Sequence, residues 1–136
     1  METLVDAYWR YFGLSSGDRA DRLAAEDLFW AWERVTELAE GETAEAISTL
    51  VALAQAAPGT PGVDLMDDDR LLTSLAYLGA GPVEDFINAH GEEAVQPIDT
   101  AARRNERIRI ALRCTSFDRS LSPASAERLR RFGEPL

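Results

Sequence analysis

The sequence predicts an all-α fold, an antiparallel array of about six to eight helices. Three observations predict it. Apolar residues recur at three- and four-residue spacing along most of the chain. Glycine and proline interrupt that pattern at short intervals. No stretch alternates polar and apolar residues for long enough to make a strand, Ile108-Arg109-Ile110-Ala111-Leu112 being the nearest.

Taken in order, residues 2–12 carry Leu4, Val5, Tyr8, Trp9 and Phe12 at the spacing of an amphipathic helix, which Gly13 and the Ser15-Ser16-Gly17 cluster end. The segment 18–39 reads as the longest helix. Leu28, Trp32, Val35 and Ala39 form its inward stripe with Phe29 beside it, and Glu33 to Glu37 run along the opposite side. Gly41 stands where a glycine ends a helix, and Thr43 can cap the next one, over 44–57, with Ile47, Leu50, Val51 and Ala54 inward. That helix stops before Pro58. The stretch 58–63, the only proline- and glycine-rich linker, reads as mobile.

Asp67-Asp68-Asp69 opens a fourth helix with Leu71, Leu72, Leu75 and Leu78 inward. Three acids suit the positive end of a helix dipole and need no metal to explain them. Gly79-Ala80-Gly81-Pro82 reads as a stop followed by a start, since proline at a first helical position loses no hydrogen bond. A short helix over 82–90 then closes at Gly91. From 92 to 114 the pattern runs through Val95, Ile98, Ala101, Ala102, Ile108, Ala111 and Leu112, with a break or new N-terminus near Gln96 before Pro97. A last helix over 123–132 begins at Ser122-Pro123. The paired short helices of the second half have the rhythm of HEAT-like hairpins, although no repeat recurs.

The chain of 136 residues reads as one helical domain over 1–136. A single cysteine, Cys114, rules out an internal disulfide and a multi-cysteine zinc site, and it reads as a small buried residue. No apolar run approaches the roughly 20 residues that span a bilayer. The opening residues, METLVDAYWRYF, lack a basic region and a continuous apolar stretch, so the expectation is a cytoplasmic protein without membrane contact. Phosphate-loop, dinucleotide, nucleophile-elbow and zinc-helix motifs are all lacking, and no cofactor is expected. Charge is strongly divided: residues 1–100 hold 20 acids and 5 arginines, residues 101–136 hold 4 acids and 9 arginines, and there is no lysine.

Three groups could carry function. Trp30 lies about 200° around its helix from Leu28, on the side of Glu26, Glu33 and Glu37. It is either covered by Tyr11 or Phe12 of the first helix or an anchor for a partner. Within 78–91, Val83, Phe86, Ile87 and His90 form an inward stripe, so the one histidine reads as a core or C-terminal residue bonding a backbone carbonyl. Glu84 and Asp85 read as acids of a first helical turn. Arg103, Arg104, Arg107, Arg109 and Arg113 crowd one stretch. They could face nucleic acid, but the net charge of −10 and the aromatics in the acidic half count against that. A clasp of Arg103 or Arg104 with Glu84 or Asp85 fits better, with an acidic protein partner as the next alternative.

The run Tyr77 to Ile87, followed by His90-Gly91, Ala101-Ala102-Arg103-Arg104, Arg107 and Ala111-Leu112, resembles the core of a bacterial family of helical domains of unknown function. That family reads L-G-A-G-P-(L/V)-E-D, then H-G, then A-R-R. The stretch Trp30-Ala31-Trp32-Glu33 to Leu38 is similar to its first half, and the resemblance covers roughly residues 8–113. It implies no activity; it marks Glu84, Asp85, His90, Arg103 and Arg104 as positions to test.

Two functional expectations follow. The first is a non-enzymatic protein-interaction module of a bacterial cytosolic protein, antitoxin- or immunity-like by analogy. It would bind a basic partner through the acidic face around Trp30. The alternative is a small enzyme or ligand-binding domain built on Glu84, Asp85, His90 and Arg103-Arg104.

Overall fold

The computed structural model describes residues 2–117 and 119–133, and these are helical without a strand. Nine α-helices follow in order among them: α1 Leu4–Ser15, α2 Arg19–Glu26, α3 Phe29–Glu40, α4 Thr43–Gln55, α5 Asp69–Leu78, α6 Glu84–His90, α7 Val95–Arg104, α8 Glu106–Leu112 and α9 Pro123–Arg130. The all-α expectation is met, with differences at four joints.

The first joint divides the expected long helix over 18–39. Asp27 and Leu28 donate backbone N–H groups to Ala24 and Ala25, three residues back, tightening the end of α2. Leu28 then turns into the core and α3 starts anew without a side-chain cap. The break lets α1 pack against both α2 and α3. Second, α4 is capped by Glu42 and not by Thr43: both carboxylate oxygens accept, from the N–H groups of Ala44 and Glu45 at 2.9 Å.

The third difference lies in the Gly79–Val83 segment, where a break between helices was expected. Instead α5 runs through a π-helical turn directly into α6, so Asp69 to His90 is one uninterrupted rod. A proline in an α-helix lacks the N–H that bonds four residues back, and its ring collides with that carbonyl. The wider π turn accommodates Pro82 without ending the rod. Gly79 sits where this turn presses on α8, and a Cβ there would lie 1.9 Å from the Ala111 carbonyl oxygen. The Thr115 hydroxyl completes the joint, lying 2.9 Å from the Gly79 oxygen and 3.1 Å from that of Ala111.

Finally, the 92–114 pattern is broken twice. A new N-terminus at Val95 puts Pro97 in the first turn of α7, near the expected place. The second break, at Asn105, was not anticipated: extended backbone there (φ −139°, ψ 108°) lets its side chain accept from the N–H groups of Arg107 and Ile108, capping α8. The 58–63 linker, read as mobile, is fastened. Buried Asp68 accepts the Thr60 N–H at 2.6 Å while capping α5 at Leu71; Arg70 donates to Gly59 and Ser74 to Pro58.

A single cluster of buried apolar side chains runs from Ala7 to Leu129, with Tyr8, Phe86, Leu50, Leu53, Leu75 and Ile98 among its largest members. The Trp9 indole donates to the Leu53 carbonyl at 3.0 Å, tying α1 to α4. Helix α3 packs on α4 and α6, α5 on α8, and α7 on α4, α8 and α9. Among the described residues, no helix is long and apolar enough to cross a membrane.

Candidate functional site

The α2–α3 corner carries the most unusual surface. The buried stripe of α3 is Ala31, Val35 and Ala39, continuing from Leu28, so residues one position either side of Ala31 project away from the core. Trp30 is 48 % exposed, Phe29 42 % and Trp32 36 %, and Leu23 of α2 joins them at 54 %. Trp32 was expected inward beside Leu28; the small methyl of Ala31 takes that place and lets the helices close together. Its ring instead stacks on Phe29, centroids 5.3 Å apart with planes 13° from parallel. Neither Tyr11 nor Phe12 covers Trp30. Tyr11 lies 6.0 Å from Phe29, and Phe12 packs between Trp9 and Tyr77.

The acids expected around Trp30 are in place. Glu26, Glu33 and Glu37 are exposed; Glu33 and Glu37 share the Trp30 side of α3 by three- and seven-residue spacing, while Glu26 ends α2 on the other side of the break. Glu37 pairs with Arg34 at 3.2 Å, and no described cation pairs with Glu26 or Glu33. Beside Phe29, between α1 and the α2–α3 corner, lies an open pocket of about 350 Å³, lined by Tyr11, Ser15, Arg22, Ala25, Glu26 and Phe29. A larger open groove, about 830 Å³, lies between α1 and α5, with Trp9, Phe12, Leu14 and Pro58 on its walls and Arg10 and Arg70 among its polar lining.

The motif residues are distributed differently from expectation. No described ion pair joins Glu84 or Asp85 to Arg103 or Arg104. Arg103 bonds Asp99 in its own helix at 2.6 Å, and Arg128 reaches the other oxygen of Asp99 from α9 at 2.8 Å. The expected clasp on Glu84 or Asp85 is thus not formed; a different one, on buried Asp99, ties α7 to α9. Burial pushes the Asp99 carboxyl up, but the hydrogen bonds and charges of the two guanidiniums outweigh it and hold the group below its usual range. Asp99 was missed by the sequence reading, although its four-residue spacing from Arg103 is a pairing signal. Arg104 is exposed beside a groove lined by Ile47, Val51, Pro97 and Thr100.

Asp85 is half-buried, and burial, then the charges of Glu40 and Glu84, push its carboxyl up. Glu84 accepts the Ser116 N–H at 3.4 Å. Because the rod continues through the π turn, neither acid stands at an open helix start. His90 is half-buried with the Phe86 ring 4.7 Å away. The carbonyl bond expected of it is not made: Nε2 is buried without a partner among the described residues. The Tyr8 hydroxyl, buried between helices, is in the same condition.

Two arginines of the basic stretch are turned onto carbonyls. Arg107 donates to Ala54 and Gln55, closing the C-terminus of α4, and Arg109 donates to Ala102. Cys114, expected to be buried, is exposed just past the end of α8.

A protein-family model described as a family of unknown function, DUF6869, matches residues 18–131, which takes in the Leu78–Gly91 motif and the α2–α3 corner. No curated protein and no solved structure matches the chain.

Proposed function

The chain belongs to this family of unknown function, DUF6869, and from its own surface we propose that it is a protein-interaction module that receives a basic partner on the α2–α3 corner. The observation that supports this reading is the exposure of four large apolar side chains, Leu23, Phe29, Trp30 and Trp32, on the two helices that also expose Glu26, Glu33 and Glu37. Isolated apolar side chains are normal on a surface; four on one helical corner, with carboxylates on the same helices, match the composition of a binding hot spot and its polar surroundings. The carboxylates would draw a cationic partner in, and the rings would hold it after water is expelled. An antitoxin- or immunity-like role in a bacterial cytosol, in which such a face occludes a cationic enzyme, is the finer form of the proposal.

The test is association measured by surface plasmon resonance with a partner recovered from the native host. Replacing Glu26, Glu33 and Glu37 together by glutamine should slow association about ten-fold at low salt and flatten its salt dependence. Trp30→Ala should act on dissociation instead. An unchanged association rate in the triple variant would refute the proposal.

A second reading, a small-ligand site about Glu84, Asp85 and His90 with Arg103-Arg104, has one observation in its favour, the buried and unpartnered His90 Nε2. It predicts a thermal shift with some anion or metal that His90→Gln abolishes; a flat response across such a panel would count against it.

A further inference from the structure

We propose that the pocket beside Phe29 is the anchor pocket of the α2–α3 surface, taking an aromatic or branched aliphatic side chain that the partner carries next to an arginine or lysine. This inference rests on the interaction reading above and specifies its ligand chemistry.

The walls argue for an apolar occupant. Tyr11 and Phe29 present rings 6.0 Å apart and tilted by 57°, with the Ala25 methyl between the helices. Of the three polar residues in the lining, two are turned onto backbone carbonyls. The Ser15 hydroxyl donates back to the Phe12 carbonyl at 3.0 Å, and the Arg22 guanidinium reaches the Gly17 carbonyl at 3.5 Å. A volume of about 350 Å³ is ample for one phenylalanine or leucine side chain.

The mouth argues for a cation beside that occupant. Glu26 is part of the lining and has no described ion pair. Beyond the break, α3 exposes Trp30 with Glu33 and Glu37 on one face. A side chain seated in the pocket thus leaves its neighbour on the partner chain at the Glu26 carboxylate, within an acidic surface that favours a guanidinium or ammonium. Apolar anchor and cation are read by adjoining parts of one surface.

The experiment titrates the full chain with N-acetyl-phenylalanyl-argininamide, following amide and methyl shifts by NMR. N-acetyl-alanyl-argininamide and N-acetyl-phenylalanyl-citrullinamide serve as controls. The phenylalanyl-arginine probe should give saturable shifts at Ser15, Ala25 and Phe29 and at the Trp30 indole, at millimolar concentration. The alanyl probe should bind about ten-fold more weakly, because it leaves the pocket empty. Ala25→Leu, or Ser15→Leu should the first variant fold poorly, should erase the preference for phenylalanine while the arginine-dependent shift at Trp30 persists. Equal affinity for the phenylalanyl and alanyl probes, or silence at Ala25 with both, overturns the pocket and leaves the acidic face standing. Equal affinity for arginine and citrulline overturns the basic-partner reading itself.

Discussion

Two glycines two residues apart should respond very unequally to alanine. A Cβ at Gly79 would sit 1.9 Å from the Ala111 carbonyl oxygen, where real Cβ atoms essentially never come under 3.0 Å. The rod and α8 must therefore part by at least 3.0 − 1.9 = 1.1 Å along that line. The parting loosens the Thr115 hydroxyl from the Gly79 carbonyl, now 2.9 Å away. Overpacking of a tight joint costs about 1–3 kcal/mol, the weakened hydrogen bond about 1 kcal/mol, and the stiffer unfolded chain returns about 0.5–1 kcal/mol. The net is a loss of about 2 kcal/mol, or roughly 6–10 °C in Tm for a domain of this length. At Gly81 the added methyl meets nothing within 4 Å beyond its chain neighbours, and the backbone is already helical. There the unfolded-state gain of about 0.5–1 kcal/mol is set against the Pro82 ring, which disfavours helical backbone in a side-chain-bearing residue just before it, so Gly81→Ala should stay within about 0.5 kcal/mol of the parent. Urea denaturation followed by circular dichroism reads both, with an unchanged m-value expected. If Gly79→Ala falls within about 0.5 kcal/mol of the parent, or costs no more than Gly81→Ala, the close approach to α8 is not real.

Asp99→Ala should cost about 2 kcal/mol at neutral pH, less than a fully buried pair would, because both guanidiniums are largely solvated. The native state holds the Asp99 carboxyl below its unfolded value, so this stability is present above the ordinary carboxylate range and is lost as pH falls through the lowered value; parent and variant should converge in acid melts. Asp85 has the opposite sign. Its carboxyl is raised, so the charged form costs stability as pH rises through the raised value, and Asp85→Asn should melt a few degrees higher at pH 7 with the advantage vanishing on acidification. Arg107→Ala should destabilise by about 1–2 kcal/mol through the uncapped end of α4. Trp30→Ala should change stability by no more than about 0.5 kcal/mol, and a large loss there would show the ring to be packing and not surface.

The fold class was legible because it rests on spacing: Leu50, Leu75, Phe86, Ile98 and Ile108 fall inward wherever the three-four rhythm puts them. What spacing did not show was where a helix is interrupted without punctuation, as at Leu28 and Asn105, or continues despite it, as through Pro82. Those outcomes depend on a partner helix: Leu28 breaks α3 from α2 to plug the core, and Gly79 carries the rod past α8. The same distinction holds at the surface. The exposure of Trp30 and its acids was legible as one of two alternatives, since a face opposite a buried stripe meets either solvent or another helix. The clasp was read with the right chemistry and the wrong carboxylate, because sequence separation does not say that α9 folds back to bring Arg128 to Asp99. Cys114 was misplaced for want of knowing that α8 ends at Leu112.

The π turn also sets a phase relation between the two ends of the rod. It holds one residue more than an ordinary turn, and one residue is worth about 100° of rotation. Deleting Ala80, whose side chain meets solvent, would restore an ordinary turn and leave Glu84 to His90 on their present bearings. It would also set the Pro82 ring against the carbonyl four residues back, a clash worth about 3 kcal/mol that the wider turn now relieves. Residue count between Leu78 and Glu84 is thereby constrained by the proline, and an excision there should destabilise the rod where a substitution of Ala80 would pass unnoticed.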